Sequence, residues 1–456
     1  MNPGAGSTAT SRPRMAFTKK LILTLATVCW AVMVLELGSM AVYPLLGNGG
    51  YSRKSIREQL RIPVEDAAKE VAAEREPGFI KSHILHPYLG FVGTPGVDPE
   101  LTLRGGHEVD INEAGFMGAW PVTRRSSGRV NICLLGGSVA MYFYLESRET
   151  LKRALQELGP FKGKDIVIVP LALGGYKQPQ QLQALSYFLS EGAEYDLVIN
   201  LDGFNEVALP FAENLPFGVY PSYPRLWHFY ASRMLNVEGA VQFAALVAQT
   251  AKRRRLRETF ANPLLSFSNF GLILWQVLDR RLEANIRLKT ASLLKLGSDR
   301  GTQSKTRQFE SQGPAIPQYS SQADFISKLA DHWARSSMVM NHLATSAGAA
   351  YFHFLQPNQY LKNSKPLSHE EEAKAISPER DFPFRVGVEL GYPILIAKGK
   401  DLAAKGIRFT NLTGVFQGNH ATIYTDQCCH VNTEGNDLIA AKIAATIAEY
   451  YKTVKR

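Results

Sequence analysis

Apolar runs and mixed polar stretches divide the chain into a head, an apolar segment, an irregular lead-in and a long patterned region. Residues 21–46 are apolar almost throughout, broken by Glu36. They follow a polar head over 1–20 that carries Arg12, Arg14, Lys19 and Lys20 and no acidic residue. As a helix, the apolar run spans roughly 39 Å at 1.5 Å per residue, enough to cross a bilayer. Glu36 is costly at the centre of a membrane; in the second half of the run it can face a partner or approach the far interface. The basic flank predicts a cytoplasmic tail over 1–20, a single-pass inner-membrane helix over 21–46, and a periplasmic, extracytoplasmic remainder. The competing reading is a cleaved signal peptide, with 21–35 as its apolar core and Ser39-Met40-Ala41 as its cleavage site. Both readings export the rest of the chain.

Residues 47–125 are expected to form a stalk and lead-in. The stretch 55–76 is charged and helix-prone, and turn signals follow in His86-Pro87-Tyr88-Leu89-Gly90 and Asn112-Glu113-Ala114-Gly115-Phe116. Regular alternation begins near residue 126 and runs to 452. Apolar runs over 130–135, 165–173, 195–201 and 350–355 predict strands. Helical stretches over 139–158, 178–190, 321–346, 393–404 and 434–451 lie between and after them. Such alternation means βαβ units and a parallel sheet covered on both faces, an α/β fold of three layers. Residues 208–320 interrupt the pattern. Trp275, Leu278, Leu282 and Ile286 recur there at helical spacing, which predicts a helical insertion, and 297–318 reads as a polar loop.

Composition narrows the class. A 456-residue chain that is 45% hydrophobic and 20% charged can bury a sizeable core. The net charge of +10 favours anionic lipid head groups or acidic polymers over acidic partners. No nucleic-acid recognition motif accompanies it, so no nucleic-acid partner is expected. Arg253-Arg254-Arg255-Leu256-Arg257 is read as a solvated helix face, with acidic glycan or lipid binding as the alternative. Cys29, Cys133, Cys428 and Cys429 show no metal or disulfide spacing and are read as small buried hydrophobes; a bridge from Cys133 to Cys428 or Cys429 is left open.

Candidate chemistry gathers at strand ends. Gly136-Gly137-Ser138 follows the first apolar run and opens a helix. This turn exposes the serine hydroxyl and supplies unpaired N–H groups beside it. Such a serine needs a base, and His430 sits in a polar turn before the final helix, with Asp426 nearby to set its tautomer. The Gly175 N–H and the Asn205 side-chain amide, after the second and third runs, are candidate oxyanion donors. His353 alternates inside a strand and reads as structural, and His83 and His86 lack a third metal ligand. Gln356, Asn358, Gln359 and Tyr360 follow the fourth run. They either line an acceptor site or form a packed polar turn. No cofactor or metal is called for.

Together these residues resemble the SGNH (GDSL-like) hydrolase superfamily in its bacterial membrane-anchored form. Its four blocks read here, in order, as Gly136-Gly137-Ser138, Gly174-Gly175-Tyr176, Gly203-Phe204-Asn205-Glu206 and Asp426-Gln427-Cys428-Cys429-His430. The resemblance covers about residues 126–207 and 320–452. It implies a three-layer parallel-sheet SGNH-like fold. It also implies acyl transfer with Ser138 as nucleophile, His430 as base, Asp426 as its partner, and the Ser138 N–H, Gly175 and Asn205 as oxyanion hole. The expected substrate is an acyl ester or acylated glycan of envelope or secreted polysaccharide, handled by an O-acetyl esterase or O-acetyltransferase alongside polysaccharide-assembly proteins. The alternatives are a lipid or small-ester esterase, and a catalytically silent glycan-binding or assembly protein. Three departures bear on this. The Asp before the serine is missing, Glu206 replaces an Asp, and Asp426 lies four residues before His430 rather than three, with Gln427 in the usual place.

Overall fold

The structure is a computed structural model that describes residues 15–46, 51–64, 82–235, 237–296, 309 and 311–454. The chain divides into two compact units, Glu76–Leu235 with Gln303–Arg456, and Met1–Arg75 with Asn236–Thr302.

The larger unit is built on strands β1 (Arg129–Gly136), β2 (Asp165–Ala172), β3 (Leu197–Asp202), β4 (Ala350–Leu355) and β5 (Arg408–Asn411). All pairings are parallel, in the order β2-β1-β3-β4-β5. Every residue of β3 and residues 130–136 of β1 are buried. Successive side chains of a strand point to opposite faces, so both faces of the sheet are covered. Helix Ser138–Gln156 packs against the closing helix Thr433–Val454. Helix Gln322–Ser346 packs against Gln180–Ser190 and Pro383–Ala404. Each fully buried Leu, Ile or Val side chain contributes roughly 1.5–3 kcal/mol relative to exposure. The chain runs outward from β1 to β2 and then returns past β1 to β3. The strand order therefore reverses at β1, the position beside which open α/β sheets generally place their ligands.

The α/β sheet expected from the alternation is present, and its differences from expectation have physical causes. Strand β5 gave no sequence signal, because its four residues are half-buried or exposed at the sheet edge. The helix expected over 393–404 starts ten residues earlier. Pro383 takes the first-turn place, and Pro393 lies inside the helix, where the buried Val388, Tyr392, Leu395 and Leu402 outweigh the lost backbone bond. The lead-in contributes two antiparallel pairs, His83–His86 with Gly90–Gly93 and Gly96–Val97 with Asp110–Ile111. Phe91, Val92, Ile111, Phe116 and Met117 from this region join the core of the sheet.

The smaller unit contains helix Met15–Val42, within which Lys19–Val42 is long and apolar enough to cross a membrane. A short helix Arg53–Arg61 follows. Of the stalk helix expected over 55–76, the part beyond residue 64 lies outside the described residues, as do 297–308 of the expected polar loop and 1–14 of the head. Helices Val237–Phe260 and Asn269–Leu296 pack along one another. Tyr43, Ile56, Leu60, Phe260, Leu272, Ile273 and Trp275 form this unit's core. Residues read as one insertion over 208–320 thus fall in both units: Tyr230 is buried in the core of the sheet, and Phe260 and Trp275 in the core of the smaller unit. Within the Arg253–Arg257 run, Arg253 and Arg257 are committed to Asp279, while Arg254 and Arg255 are exposed.

Candidate active site

Register brings the candidate residues to one level. Gly136, at the end of β1, pairs with Ala172 of β2 and Leu201 of β3. The segments that follow therefore leave the sheet side by side, carrying Ser138, Gly175 and Asn205. Two glycines make the turn before Ser138 possible. Gly136 has φ +152°, and a Cβ there would lie 2.2 Å from the Leu201 carbonyl oxygen; a Cβ on Gly137 would lie 2.2 Å from Asn205 Nδ2. Ser138 then opens the 19-residue helix Ser138–Gln156 and is partly exposed beside its N–H-rich, positive end.

Ser138, His430 and Asp426 form one hydrogen-bonded chain. His430 Nε2 lies 2.7 Å from Ser138 Oγ, and His430 Nδ1 bonds Asp426 Oδ2. The four-residue spacing is accommodated by a tight loop. Asp426 Oδ1 accepts from the backbone N–H groups of Cys428 at 2.9 Å, Cys429 at 3.1 Å and His430 at 3.3 Å. The carboxylate thus organises the loop with one oxygen and reaches the imidazole with the other. Burial pushes the Asp426 carboxyl up, but the bond to His430, its charge and the backbone donors more than offset this and hold it below the usual carboxylate range.

The donor side is tied together from behind. Gly175 has φ +76° in the turn closed by Tyr176 N–H to Leu173 O at 3.1 Å, the left-handed position that a type II turn gives to glycine. Asn205 donates one amide hydrogen to Tyr176 O at 2.7 Å, leaving the other on the side of Gly137. Glu206 lies below. It accepts from Gly203 N at 2.8 Å, Gln178 N at 3.1 Å and Gln181 Nε2 at 3.0 Å. Burial, reinforced by the charge of Asp202, pushes its carboxyl up to about 8. Lys177, fully enclosed next to the turn, donates to Pro221 O at 2.6 Å and to Tyr223 O, and burial lowers it to about 7.

Gln356, Asn358, Gln359 and Tyr360, expected either to line an acceptor site or to form a packed polar turn, are buried against the loop that carries Asp426 and His430. Asn358 Nδ2 donates to Cys428 O at 3.1 Å, Gln359 Nε2 to Asp426 O at 2.9 Å and Tyr360 Oη to Gln427 O at 3.0 Å, and Gln356 lies beside the Cys429 thiol. The physical reason is backbone accounting: a tight loop has carbonyls that its own N–H groups cannot reach, and the polar turn after β4 supplies the donors. Glu371 holds the loop's near end. It is fully buried with Lys365 at 2.7 Å and accepts from Ile423 N at 2.9 Å and Tyr424 N at 3.0 Å.

Three further residues at the site escaped the sequence. Tyr142 packs edge-on against the His430 ring, with centroids 4.8 Å apart, and Arg104 lies 3.8 Å over the Tyr142 ring. Arg104 also bonds Glu146 at 2.6 Å and donates to Val431 O at 2.7 Å. Tyr142 and Glu146 follow Ser138 at intervals of four, one face of a single helix. That signal was available; Arg104 had none.

A second Ser–His–Asp chain lies buried between helix Gln322–Ser346 and the sheet. Ser337 Oγ is 2.8 Å from His353 Nδ1, and His353 Nε2 is 2.8 Å from Asp202 Oδ1, which also takes Trp333 Nε1 at 2.7 Å. Ser337 and His353 are wholly buried, which makes His353 a structural histidine. Cys133 is a free thiol in the middle of β1, and no bridge joins it to Cys428 or Cys429. The Cys428 and Cys429 sulfurs lie 3.0 Å from each other. Among the described residues, Cys428, Cys429 and His430 are the one group with metal-ligand atoms within 4.8 Å of one another. Both His430 nitrogens are already engaged, and burial pushes the Cys429 thiol far up, so the set is poorly suited to an ion.

No protein-family model matches the chain, and no curated protein matches it. Among solved structures, it is similar to a GDSL-like lipase from Bacteroides thetaiotaomicron VPI-5482, with 11% identity and a TM-score of 0.33 over 72% of this chain and 93% of that chain. That similarity is too remote to transfer an activity.

Proposed function

We propose that this protein is an exported, membrane-tethered serine enzyme that hydrolyses acyl esters or transfers acyl groups, acting on envelope or secreted polysaccharide. One observation carries the reading: a partly exposed Ser138 hydroxyl, at a helix start beyond the sheet, bonded to a histidine that is bonded to a carboxylate. In the proposed reaction Ser138 Oγ attacks the ester carbonyl carbon as His430 Nε2 takes its proton. The carbonyl oxygen becomes an oxyanion held by the Ser138 N–H, the Gly175 N–H and the Asn205 amide. Collapse expels the alkoxide, which leaves as an alcohol with the proton from His430. Water or a sugar hydroxyl, deprotonated by His430, then attacks the acyl-enzyme and frees Ser138.

The tether is supported by the apolar helix behind a basic head. Retention of that helix, rather than cleavage after Ala41, is favoured because Glu36 bonds the Ser268 hydroxyl and the Asn269 N–H. The net charge of +10 suits an acidic polymer. The test compares acetyl content of the cell's polysaccharide, and fluorophosphonate labelling of the purified chain, between wild type and Ser138→Ala. Loss of labelling with less acetyl in the variant supports a transferase, and with more acetyl an esterase. A wild-type chain that resists the reagent, with unchanged polysaccharide, sinks the reading.

A further inference from the structure

Glu36 stands within the apolar helix, yet both its carboxylate oxygens are engaged. The Ser268 hydroxyl donates to Oε1, and the Asn269 backbone N–H donates to Oε2 at 2.7 Å. Asn269 is the first residue of helix Asn269–Leu296, so the carboxylate occupies a helix start, where unpaired N–H groups and the positive dipole end favour an anion. The same bonds fix a depth. Glu36 lies 17 residues after Lys19, ~26 Å along a helix, and a hydrocarbon core is ~30 Å thick. Glu36, and with it Ser268 and Asn269, thus falls inside the outer edge of any bilayer that the helix spans.

The turn that these bonds hold at that depth carries open apolar side chains. Leu264 is 84% exposed and Phe267 62%, and Leu265, Phe270 and Leu274 are exposed as well. Basic groups form a collar beside them. Arg57 and Arg53 lie 4.6 and 5.7 Å over the Phe267 ring, and an adjoining cavity of about 400 Å³ is lined by Arg57, Arg61, Arg254 and Arg257 with Glu258 as its one acid. An apolar tip beneath an arginine collar matches the two layers of a bilayer surface, acyl chains below and phosphates above.

We propose that residues 263–270 are a second membrane-insertion element: Leu264, Leu265, Phe267 and Phe270 enter the outer leaflet beside the anchor helix, and the arginine collar meets the lipid phosphates. Pairing Glu36 with the tip lowers the cost of its charge in the hydrocarbon, so anchor and tip enter as one piece. The inference rests on the reading of Met15–Val42 as a retained anchor.

The test uses the full chain with Cys29, Cys428 and Cys429 replaced by Ser and the buried Cys133 kept. One new cysteine, from Leu264→Cys, Phe267→Cys or Leu288→Cys, carries an environment-sensitive fluorophore. Leu288, 69% exposed and 14 residues beyond Leu274 on the same helix, is the aqueous reference. In vesicles of phosphatidylethanolamine and phosphatidylglycerol, the probes at 264 and 267 should be quenched by nitroxide-bearing lipids and be several-fold less quenched by aqueous iodide than the probe at 288. Equal iodide quenching at all three sites overturns the proposal. So does protection from both quenchers with self-quenching that unlabelled chain relieves, which would mean that a second copy covers the tip. Alkaline carbonate extraction separates the two failures. A chain released by carbonate has no anchor, and the inference falls with it; an integral chain with aqueous tip probes sinks the insertion alone.

Discussion

Asn358 donates its side-chain amide to the Cys428 carbonyl oxygen at 3.1 Å, which fastens the loop carrying Asp426 and His430 to the end of β4. Gln359 and Tyr360 repeat the arrangement on Asp426 and Gln427. The imidazole is thus aimed by donors it never touches. Gln359→Leu should leave the buried Ala375 carbonyl and the part-buried Asp426 carbonyl without this donor, lowering stability by about 1–3 kcal/mol. Ester turnover should fall in kcat with KM little changed, because the loop shifts and the substrate's own contacts do not. Denaturant melts and steady-state kinetics on one preparation check both.

Asp426→Asn tests the carboxylate's double duty. An amide can still accept the loop's N–H groups through its oxygen, but its NH₂ faces His430 Nδ1 and favours the wrong tautomer. Turnover should drop by about 10^4-fold, as when a triad aspartate elsewhere becomes an amide. Because the folded carboxyl is held below its usual range, its charged form stabilises the fold above the ordinary carboxylate pKa of ~3.9, and this contribution is lost as pH falls through the depressed value. The wild-type Tm advantage over the variant should therefore persist at pH 5 and above and close only in stronger acid.

Gly137→Ala places a methyl where Asn205 Nδ2 lies, 2.2 Å from the new Cβ. Because Asn205 is held by Tyr176 O, the amide cannot retreat without losing that bond. Removing one oxyanion donor typically costs ~10^2–10^3 in kcat, and the displaced amide should cost about as much. Fluorophosphonate should still label Ser138, only more slowly; unchanged kcat would detach Asn205 from the reaction.

Lys177 carries a pH signature of its own. Burial lowers it to about 7, against ~10.4 in an unfolded chain. Between those values the unfolded state binds a proton that the folded state does not, so stability rises with pH across that window and is lost as pH falls toward 7. In Lys177→Met, chemical-denaturation curves from pH 7 to pH 10 should lose this upward slope, whatever the variant's absolute stability.

The sheet was legible because buried parallel strands read as unbroken apolar runs, and the turns at their ends carry glycines at positive φ, Gly136, Gly175 and Gly203. Ser138, Gly175 and Asn205 could be placed for that reason, each directly after a strand. The roles of Gln356, Asn358, Gln359 and Tyr360 were not legible. A polar cluster after a strand looks the same whether it faces a cleft or a neighbouring loop's carbonyls, and only the packing of residues 426–428 separates the two. Strand β5 was silent because an exposed edge needs no apolar run. The division of 208–320 between two units was silent because helical periodicity says which face is buried, not against what.

The buried chain Ser337–His353–Asp202 uses the same three residue types as Ser138–His430–Asp426 with the imidazole turned round: His353 meets its serine through Nδ1 and its carboxylate through Nε2, His430 the reverse. The inner one is wholly buried, and its hydroxyl is a strut between helix Gln322–Ser346 and β4. Ser138 differs in being partly exposed, at the point where the sheet reverses its strand order.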